Sequence, residues 1–291
     1  DLIVDDVRNV DYSALPRVEW LHASPVCTRA SNANPGAEES ADDVEMAQAV
    51  VRALEAQQPQ VFSLENVWMY RTFESFKRIC AALNDLGYMW DFEHVNAADF
   101  GVPQTRKRLI LRAVRLGLLP PLPAPVRWVG WYEAIADLLP ELPESQLAPW
   151  QVARLPEELR TMLFSSNGNS GEFGVITCAQ GEPAFTLRAG RSAEHRALLL
   201  NGTNAGRELS ALSDSEPSFT ITGEVHKGMP RAWISSRVVS VTPRALARFQ
   251  SFPDSYKLPD KRTLAAKVIG NAVPPKLMQG IAEGLIGGGA L

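Results

Sequence analysis

The chain has 291 residues, 45% of them hydrophobic, which is enough to build one large core or two smaller ones. It has no apolar run of eighteen or more residues and no signal-peptide pattern, which excludes membrane-spanning and secreted classes and makes the cytoplasm the default expectation. The net charge is −4, yet residues 188–276 carry 14 Lys and Arg against 7 Asp and Glu, a basic region typical of phosphate binding.

The first predicted strand covers residues 18–24 and is followed by a predicted helix. The run "VEWLHAS" is short and largely apolar, as in a buried strand. In "ADDVEMAQAVVRALEAQQ", apolar residues including Ala47 and Leu54 recur at helical spacing. Ser40 and Asp43 form a capping-box pattern before this stretch, so we expect the helix to begin there.

The next part of the chain repeats the order of strand and helix. The apolar run "QVFSL" predicts a second strand, and Phe76, Ile79 and Leu83 then form a helical stripe that stops at Gly87. The stretches "YMWDFEHVN" and "RLILRAV" predict a closing pair of strands. We therefore expect an α/β fold with mostly parallel strands, in which ligands bind beyond the carboxyl ends of the strands.

A change of composition after Val114 predicts a domain junction. The stretch "LGLLPPLPAPVRW" is proline-dense and cannot continue the interior of a sheet. The chain is then rich in Gly, Ser, Asn and Pro before the last segment returns to helical patterns. We predict a first domain at 1–115, a second, smaller domain at 116–238, and a segment at 239–291 that returns to the first domain.

Two residues that could carry chemistry follow the first two predicted strands. Cys27 lies at the exit of the first strand with Arg29 nearby, and a cationic neighbour favours the reactive thiolate. Glu65 follows the second strand, where a desolvated carboxyl could hold a proton. Taken singly, a structural thiol and a capping or solvated carboxylate are the commoner roles for such residues. The other two cysteines, Cys80 and Cys178, are widely spaced, which argues against disulfides and a Cys-x-x-Cys metal site.

A third candidate is the basic stretch "QTRKR" at 104–108, which opens a predicted strand. Arginines there could bind phosphate or a base carbonyl, or could be plain surface charge.

Taken in order, five short motifs resemble the motif series of the cytosine-C5 DNA methyltransferases. They are "SPVC", "ENV", "QTRKR", "RFQSFPDSY" and "GNAVPP". That family shows Pro-Cys-Gln, Glu-Asn-Val, Gln-x-Arg-x-Arg, an Arg-Leu-Gln-Gly-Phe-Pro-like block and Gly-Asn-(Ala/Ser)-Val. The resemblance covers nearly the whole chain outside the variable region. It implies a Rossmann-like methyltransferase sheet, incomplete at its N-terminus, with a target-recognition domain at 116–238.

The resemblance assigns a catalytic role to four residues. Cys27 would add to C6 of a cytosine flipped out of double-stranded DNA. Glu65 would hold N3 and the exocyclic amine of the base. Arg108, and less directly Arg106, would bind the base carbonyl and a neighbouring phosphate. The implied activity is that of a bacterial or phage-type restriction-modification methyltransferase associated with the nucleoid.

The same resemblance implies S-adenosyl-L-methionine as cofactor and suggests which residues contact each ligand. Asp6 and Val7 would flank the adenine, Pro25 would line the methionine side, and Asn271 and Val273 would close the pocket. Met46 is a weaker candidate. The predicted DNA contacts are basic or polar side chains at Arg29, Gln104, Arg188, Arg191, Arg196 and Arg207.

The sequence departs from the family in one major respect. No Phe-x-Gly-x-Gly turn, which receives the methionine part of the cofactor, precedes Asp6. The expectation is that a missing N-terminal segment or a second polypeptide supplies it.

Two alternative functions remain open at this point. A tRNA cytosine-C5 methyltransferase shares the chemistry, but that branch carries Cys-Phe-Thr after Glu-Asn-Val, whereas "WMYRTFES" follows here, which favours DNA. A DNA-binding subunit, inactive without a partner segment, is the other alternative.

Overall fold

The structure is a computed structural model that describes residues 2–26, 38–145, 197–200, 211–213, 216–218, 231–234 and 237–290. By packing, the chain divides into two compact units. The first unit comprises Asp1–Phe100, Lys107–Pro125 and Leu277–Leu291, and the second comprises Gly101–Arg106 and Val126–Lys276. This division does not follow the predicted boundaries, since residues 239–276 pack within the second unit. The assignment of 116–238 to target recognition stays a prediction.

The first unit contains a four-stranded sheet with the order β1-β2-β4-β3. Its strands are β1 (Trp20–Ala23), β2 (Val61–Asn66), β3 (Met89–Asn96) and β4 (Lys107–Val114). β1 and β2 pair in parallel, whereas β4 pairs antiparallel with both β2 and β3. The prediction of mostly parallel strands is therefore wrong for the described sheet. Because β4 turns back from β3 and inserts between β2 and β3, the two neighbours of β4 both run opposite to it.

Two helices pack against one face of this sheet, as the helical spacing predicted. They are α1 (Ala41–Gln57) and α2 (Glu74–Asp85), whose apolar side chains join Phe62 and Leu64 of β2 in one core cluster. The predicted capping box is confirmed, since Ser40 and Asp43 exchange side-chain to backbone hydrogen bonds. The connections β1-α1-β2 thus place the carboxyl ends of β1 and β2 side by side.

The last helix, α6 (Pro275–Gly287), packs closely on the loop that follows β4. A Cβ atom added at Gly284 would lie 2.9 Å from Pro123 Cγ of this loop, and one added at Gly280 would collide with the ring of Phe100, which lies between β3 and β4. The glycines of α6 therefore permit a helix-to-chain distance that larger side chains would prevent.

The described residues of the second unit form an antiparallel sheet and three short α-helices. The strands have the order β6-β5-β7-β8, with β5 at Ala197–Leu200, β6 at Ala211–Ser213, β7 at Arg231–Ile234 and β8 at Arg237–Ser240. The helices are α3 (Trp131–Ile135), α4 (Pro243–Phe249) and α5 (Arg262–Asn271). α3, α4 and α5 share one buried cluster that includes Trp131, Phe249 and Ile269. Within the described ranges, no helix of either unit has the length and apolar character needed to cross a membrane.

Candidate active site

Polar side chains meet at the adjacent carboxyl ends of β1 and β2. Glu65 and Asn66 are the last two residues of β2, so Glu65 lies within the strand that it was predicted to follow. The parallel register pairs Ala23 with Leu64, which places Ser24 and Pro25 beside the end of β2. The first two predicted strands are therefore neighbours. This is what the prediction of a ligand site beyond their carboxyl ends required.

Glu65 forms an ion pair with Arg108, so the structure brings together two of the predicted catalytic residues. Arg108 Nε lies 2.9 Å from Glu65 Oε1, and the two side chains are 13% and 9% exposed. The approach to Oε1 lacks hydrogen-bond geometry, so the contact is mainly one of charge. Ser24 Oγ donates a hydrogen bond to the other carboxylate oxygen, Glu65 Oε2, at 3.3 Å. A nearly buried carboxylate is thus compensated by a fixed cation and a hydroxyl donor.

Asn66 has a positioning role that the sequence analysis missed. Its Nδ2 donates to the carbonyl oxygen of Pro25 at 3.2 Å, and its Oδ1 accepts from Val67 N at 2.8 Å. A buried amide therefore ties the chain leaving β1 to the end of β2. The position of Asn66 within the motif "ENV" was the sequence signal that could have indicated this role. Pro25, predicted to line the methionine side of the cofactor, has its carbonyl oxygen engaged in this bond.

Several predicted site residues lie outside the described residues. They are Cys27, Arg29, Arg188, Arg191, Arg196 and Arg207. Their roles stay predictions.

Arg106 holds backbone near the end of α5 within the second unit. The residue Arg106 is buried, with 3% of its surface exposed. Its Nη2 donates to the carbonyl oxygen of Ala272 at 3.2 Å. Gln250, which the sequence analysis left without a role, donates from Nε2 to the carbonyl oxygen of Ile269. The last carbonyls of a helix lack partners within the helix, so both side chains support the segment that carries Asn271 and Val273. Binding of the base by Arg106 stays a prediction.

Gln104 was predicted to contact DNA, but its side chain is buried in the second unit. The residue is 0% exposed, and neither polar atom of its side-chain amide has a hydrogen-bond partner among the described residues. Its backbone forms an isolated bridge with Ser218. In this conformation Gln104 cannot touch DNA unless the side chain moves, and the predicted contact stays untested.

The predicted cofactor residues Asp6 and Val7 of the first unit suit an adenine in part. Arg8 donates to both carboxylate oxygens of Asp6, at 3.0 and 2.7 Å, and lowers the pKa of Asp6 to about 2. The carboxylate is therefore ionised but already shared with Arg8, which also pairs with Glu45 of α1. Val7 is 44% exposed and offers an apolar surface to a ring, whereas Met46 is partly buried on α1. The described residues contain no group of His, Cys, Asp or Glu suited to a metal ion.

Comparison with known proteins gives a family that covers almost the whole chain. A model of the family described as C-5 cytosine-specific DNA methylase matches residues 1–287. The type II methyltransferase M1.HphI of Haemophilus parahaemolyticus is 26% identical over 275 residues, which cover 93% of this chain and 68% of the relative. The type II methyltransferase M.XorII of Xanthomonas oryzae pv. oryzae is 28% identical over 262 residues, which cover 79% of this chain and 59% of the relative. The chain thus spans roughly three fifths to two thirds of these relatives.

A solved structure confirms the predicted fold class. A protein described as a DNA modification methyltransferase encoded within an E. coli prophage matches with a TM-score of 0.61 at 17% identity. The match covers 97% of this chain and 84% of that chain. At this identity the likeness concerns the fold, a mixed α/β methyltransferase sheet with flanking helices.

Proposed function

Because the chain belongs to the C-5 cytosine-specific DNA methylase family, we propose that it methylates C5 of a cytosine flipped out of double-stranded DNA through a covalent bond from Cys27 to C6. The observation that carries this proposal is the nearly buried pair of Glu65 and Arg108 at the carboxyl ends of β1 and β2. Such a pair suits recognition of the polar edge of a pyrimidine ring, because it offers a carboxylate and a guanidinium within 2.9 Å of each other.

The nucleophilic step depends on the thiolate of Cys27. Its sulfur forms a bond to C6 of the ring, and the electron pair of the C5–C6 double bond moves to C5, which becomes nucleophilic. After C5 has gained the methyl group, loss of the C5 proton expels the sulfur and restores the double bond. Asn66 fixes the Pro25 carbonyl two residues before Cys27, which supports a defined path for the chain that presents the thiolate.

Glu65 and Arg108 would stabilise the charge that develops on the ring during this addition. Glu65 would accept from the exocyclic amine and share a proton with N3, so that the negative charge that reaches N3 when the sulfur adds to C6 is neutralised by that proton. Arg108 fixes the Glu65 carboxylate and reaches toward the base carbonyl or an adjacent phosphate. Because both side chains are nearly buried, the interactions act at reduced dielectric and are stronger than they would be in water.

When bound, S-adenosyl-L-methionine supplies an electrophilic methyl group on a sulfonium sulfur. Val7 would cover one face of the adenine with its exposed apolar surface, and Asp6 would bind the nucleoside with the lone pairs that Arg8 leaves available. Asn271 and Val273, supported by Arg106 and Gln250, would contribute the remaining contacts. Residues 116–238 would recognise the target sequence, and arginines of this region would contact the DNA.

The decisive experiment traps the covalent bond with DNA that contains 5-fluorocytosine. Fluorine replaces the proton that must leave C5, so a protein that has added to C6 and transferred the methyl group stays attached to the DNA. We expect an adduct with the natural chain and with Cys80→Ala, and none with Cys27→Ser. Cys80 is a suitable control because it is a buried free thiol whose pKa burial raises to about 12.

Each other outcome identifies a different function. DNA binding without an adduct, also when a polypeptide with the Gly-rich cofactor turn is added, would support a binding subunit. An adduct with 5-fluorocytosine in tRNA but none in DNA would support the RNA-modifying alternative. An adduct retained by Cys27→Ser would contradict the assignment of the nucleophile.

A further inference from the structure

A chain of hydrogen bonds runs across β1 and β2 and ends on Glu65. Trp20 Nε1 lies 2.9 Å from Ser63 Oγ, and Ser63 Oγ lies 2.8 Å from His22 Nδ1. His22 Nε2 lies 3.3 Å from Ser24 Oγ, which in turn lies 3.3 Å from Glu65 Oε2. Four side chains outside the catalytic set are thus connected in series to the carboxylate.

The direction of this chain is decided at Ser63, which is 1% exposed. The indole of Trp20 can only donate, so Ser63 Oγ accepts that bond and keeps its own hydrogen for another partner. Among the described residues, His22 Nδ1 is the acceptor within reach of the Ser63 hydroxyl. If Ser63 donates to it, His22 Nδ1 carries no proton.

The state of His22 then decides which way the Ser24 hydroxyl points. A neutral imidazole without a proton on Nδ1 has its proton on Nε2, which therefore donates to Ser24 Oγ. Ser24 has a single hydroxyl hydrogen, and it is then free to point to Glu65 Oε2. With the opposite tautomer, Ser24 would donate to His22 Nε2, and Glu65 Oε2 would lose its hydroxyl donor.

We propose that His22 is a positioning residue for Glu65: as the tautomer protonated on Nε2, it orients the Ser24 hydroxyl toward Glu65 Oε2 and so fixes the carboxylate for the incoming base. The catalytic consequence rests on the proposed function, since it requires that Glu65 hold the base. With Arg108 at Oε1 and Ser24 at Oε2, the two oxygens of the carboxylate have different partners on opposite sides. This asymmetry limits rotation of the carboxylate before a substrate arrives.

The surroundings of His22 favour the neutral imidazole that this arrangement needs. His22 is an exposed residue of β1, yet the neighbouring atoms of the sheet desolvate part of its ring and lower the pKa of His22 below its ordinary value. An imidazolium would donate from both nitrogens and would force the Ser63 hydrogen away from Nδ1.

The first test observes the tautomer itself and does not depend on activity. In the full chain labelled with ¹⁵N-histidine, at a pH where His22 is neutral, we expect the nitrogen shifts of the form protonated on Nε2. Ser63→Ala removes the hydroxyl that donates to His22 Nδ1, so the shifts should move toward a mixture of the two tautomers. Trp20→Phe is the control, because Ser63 keeps its hydroxyl hydrogen and the tautomer should stay the same. A natural chain in which Nδ1 carries the proton, or a tautomer unchanged by Ser63→Ala, would overturn the proposal.

The second test measures methyl transfer in matched variants. We expect His22→Leu to lower kcat about tenfold with KM for DNA unchanged, the size expected for loss of one hydrogen bond to a charged group. His22→Gln should recover most of this loss, because its amide nitrogen can replace the Nε2 donor. His94→Leu is the control. His94 belongs to a strand of the same sheet, stacks on Trp68 and lies outside the chain of hydrogen bonds.

The outcomes separate this inference from the proposed function. If the wild-type chain turns over and His22→Leu has the same kcat, the positioning role is overturned while the proposed function stays intact. Without wild-type turnover the proposed function fails, and the nitrogen shifts still decide whether His22 directs the Ser24 hydroxyl.

Discussion

The end of β2 in the first unit and the end of α5 in the second unit are both built from motif residues, but they use different partners. Glu65 meets Arg108 and Ser24 through side chains alone. At α5, Arg106 and Gln250 donate to backbone carbonyls. The first arrangement fixes a charged group at the site proposed for the base, whereas the second adds side-chain donors to carbonyls at the end of a helix.

The comparison shows that residues of one sequence motif can have different roles. Arg106 and Arg108 stand two positions apart in "QTRKR", yet the boundary between the compact units passes between them. Arg108 pairs with a carboxylate and also donates from Nη1 to the carbonyl oxygen of the adjacent Lys107, whereas Arg106 donates to the carbonyl oxygen of the distant Ala272. We infer that Arg108 acts mainly on the reaction and Arg106 mainly on the stability and shape of its unit.

The largest expected effect is that of Glu65→Gln. The amide keeps the size of the side chain but removes the charge and the proton-holding group, so we expect kcat for methyl transfer to fall about 10³-fold. Glu93→Gln is the matched control, because Glu93 also pairs with an arginine of β4, Arg112 Nη2, at 2.9 Å but is 44% exposed at its side chain. Radioactive methyl transfer to DNA measures both variants. Equal activities of the two variants would show that position 65 has no special role.

A pair of arginine variants tests whether the two regions have separate functions. Arg108→Met should lower kcat about 10²-fold, because the charge that fixes Glu65 is lost. Arg106→Met should instead lower the free energy of unfolding by about 1–3 kcal/mol, because the partly buried Ala272 carbonyl loses its Arg106 donor. Kinetics and denaturant unfolding are measured on both proteins. The opposite pattern, with Arg106→Met inactive but fully stable, would restore Arg106 to the predicted catalytic set.

The smallest effect is expected for Gln250→Leu. The substitution removes the Gln250 donor from the Ile269 carbonyl, which keeps its bond from Ala272 N at 3.2 Å, and it also removes the buried Gln250 Oε1, which has no partner among the described residues. The two changes offset each other in part, so we expect a loss of about 1 kcal/mol in unfolding free energy. If Asn271 and Val273 contact the cofactor, KM for S-adenosyl-L-methionine should rise while KM for DNA stays constant. A change in DNA binding alone would contradict the assigned role of the α5 end.

Local sequence signals were sufficient for the helices and strands of the first unit and for one half of the site. The capping box at Ser40 and Asp43, the stop before Gly87 and the buried strand before Glu65 each depend on neighbouring residues, and all are present. The motif order also named Glu65 and Arg108 before their contact was known. These features follow from residue type and spacing within a few turns of chain, which a sequence displays directly.

Other features were decided only by the tertiary structure, because they depend on which distant segments pack together. The insertion of β4 between β2 and β3 is a long-range pairing choice, and period-two patterns do not encode it. His22 and Ser63 are 41 residues apart in sequence, and the parallel register of β1 and β2 makes them partners. The sequence alone determined the family and the chemical groups available. The fold decided which oxygen, nitrogen or carbonyl each group meets, because a hydrogen bond requires contact within about 3 Å and a defined direction.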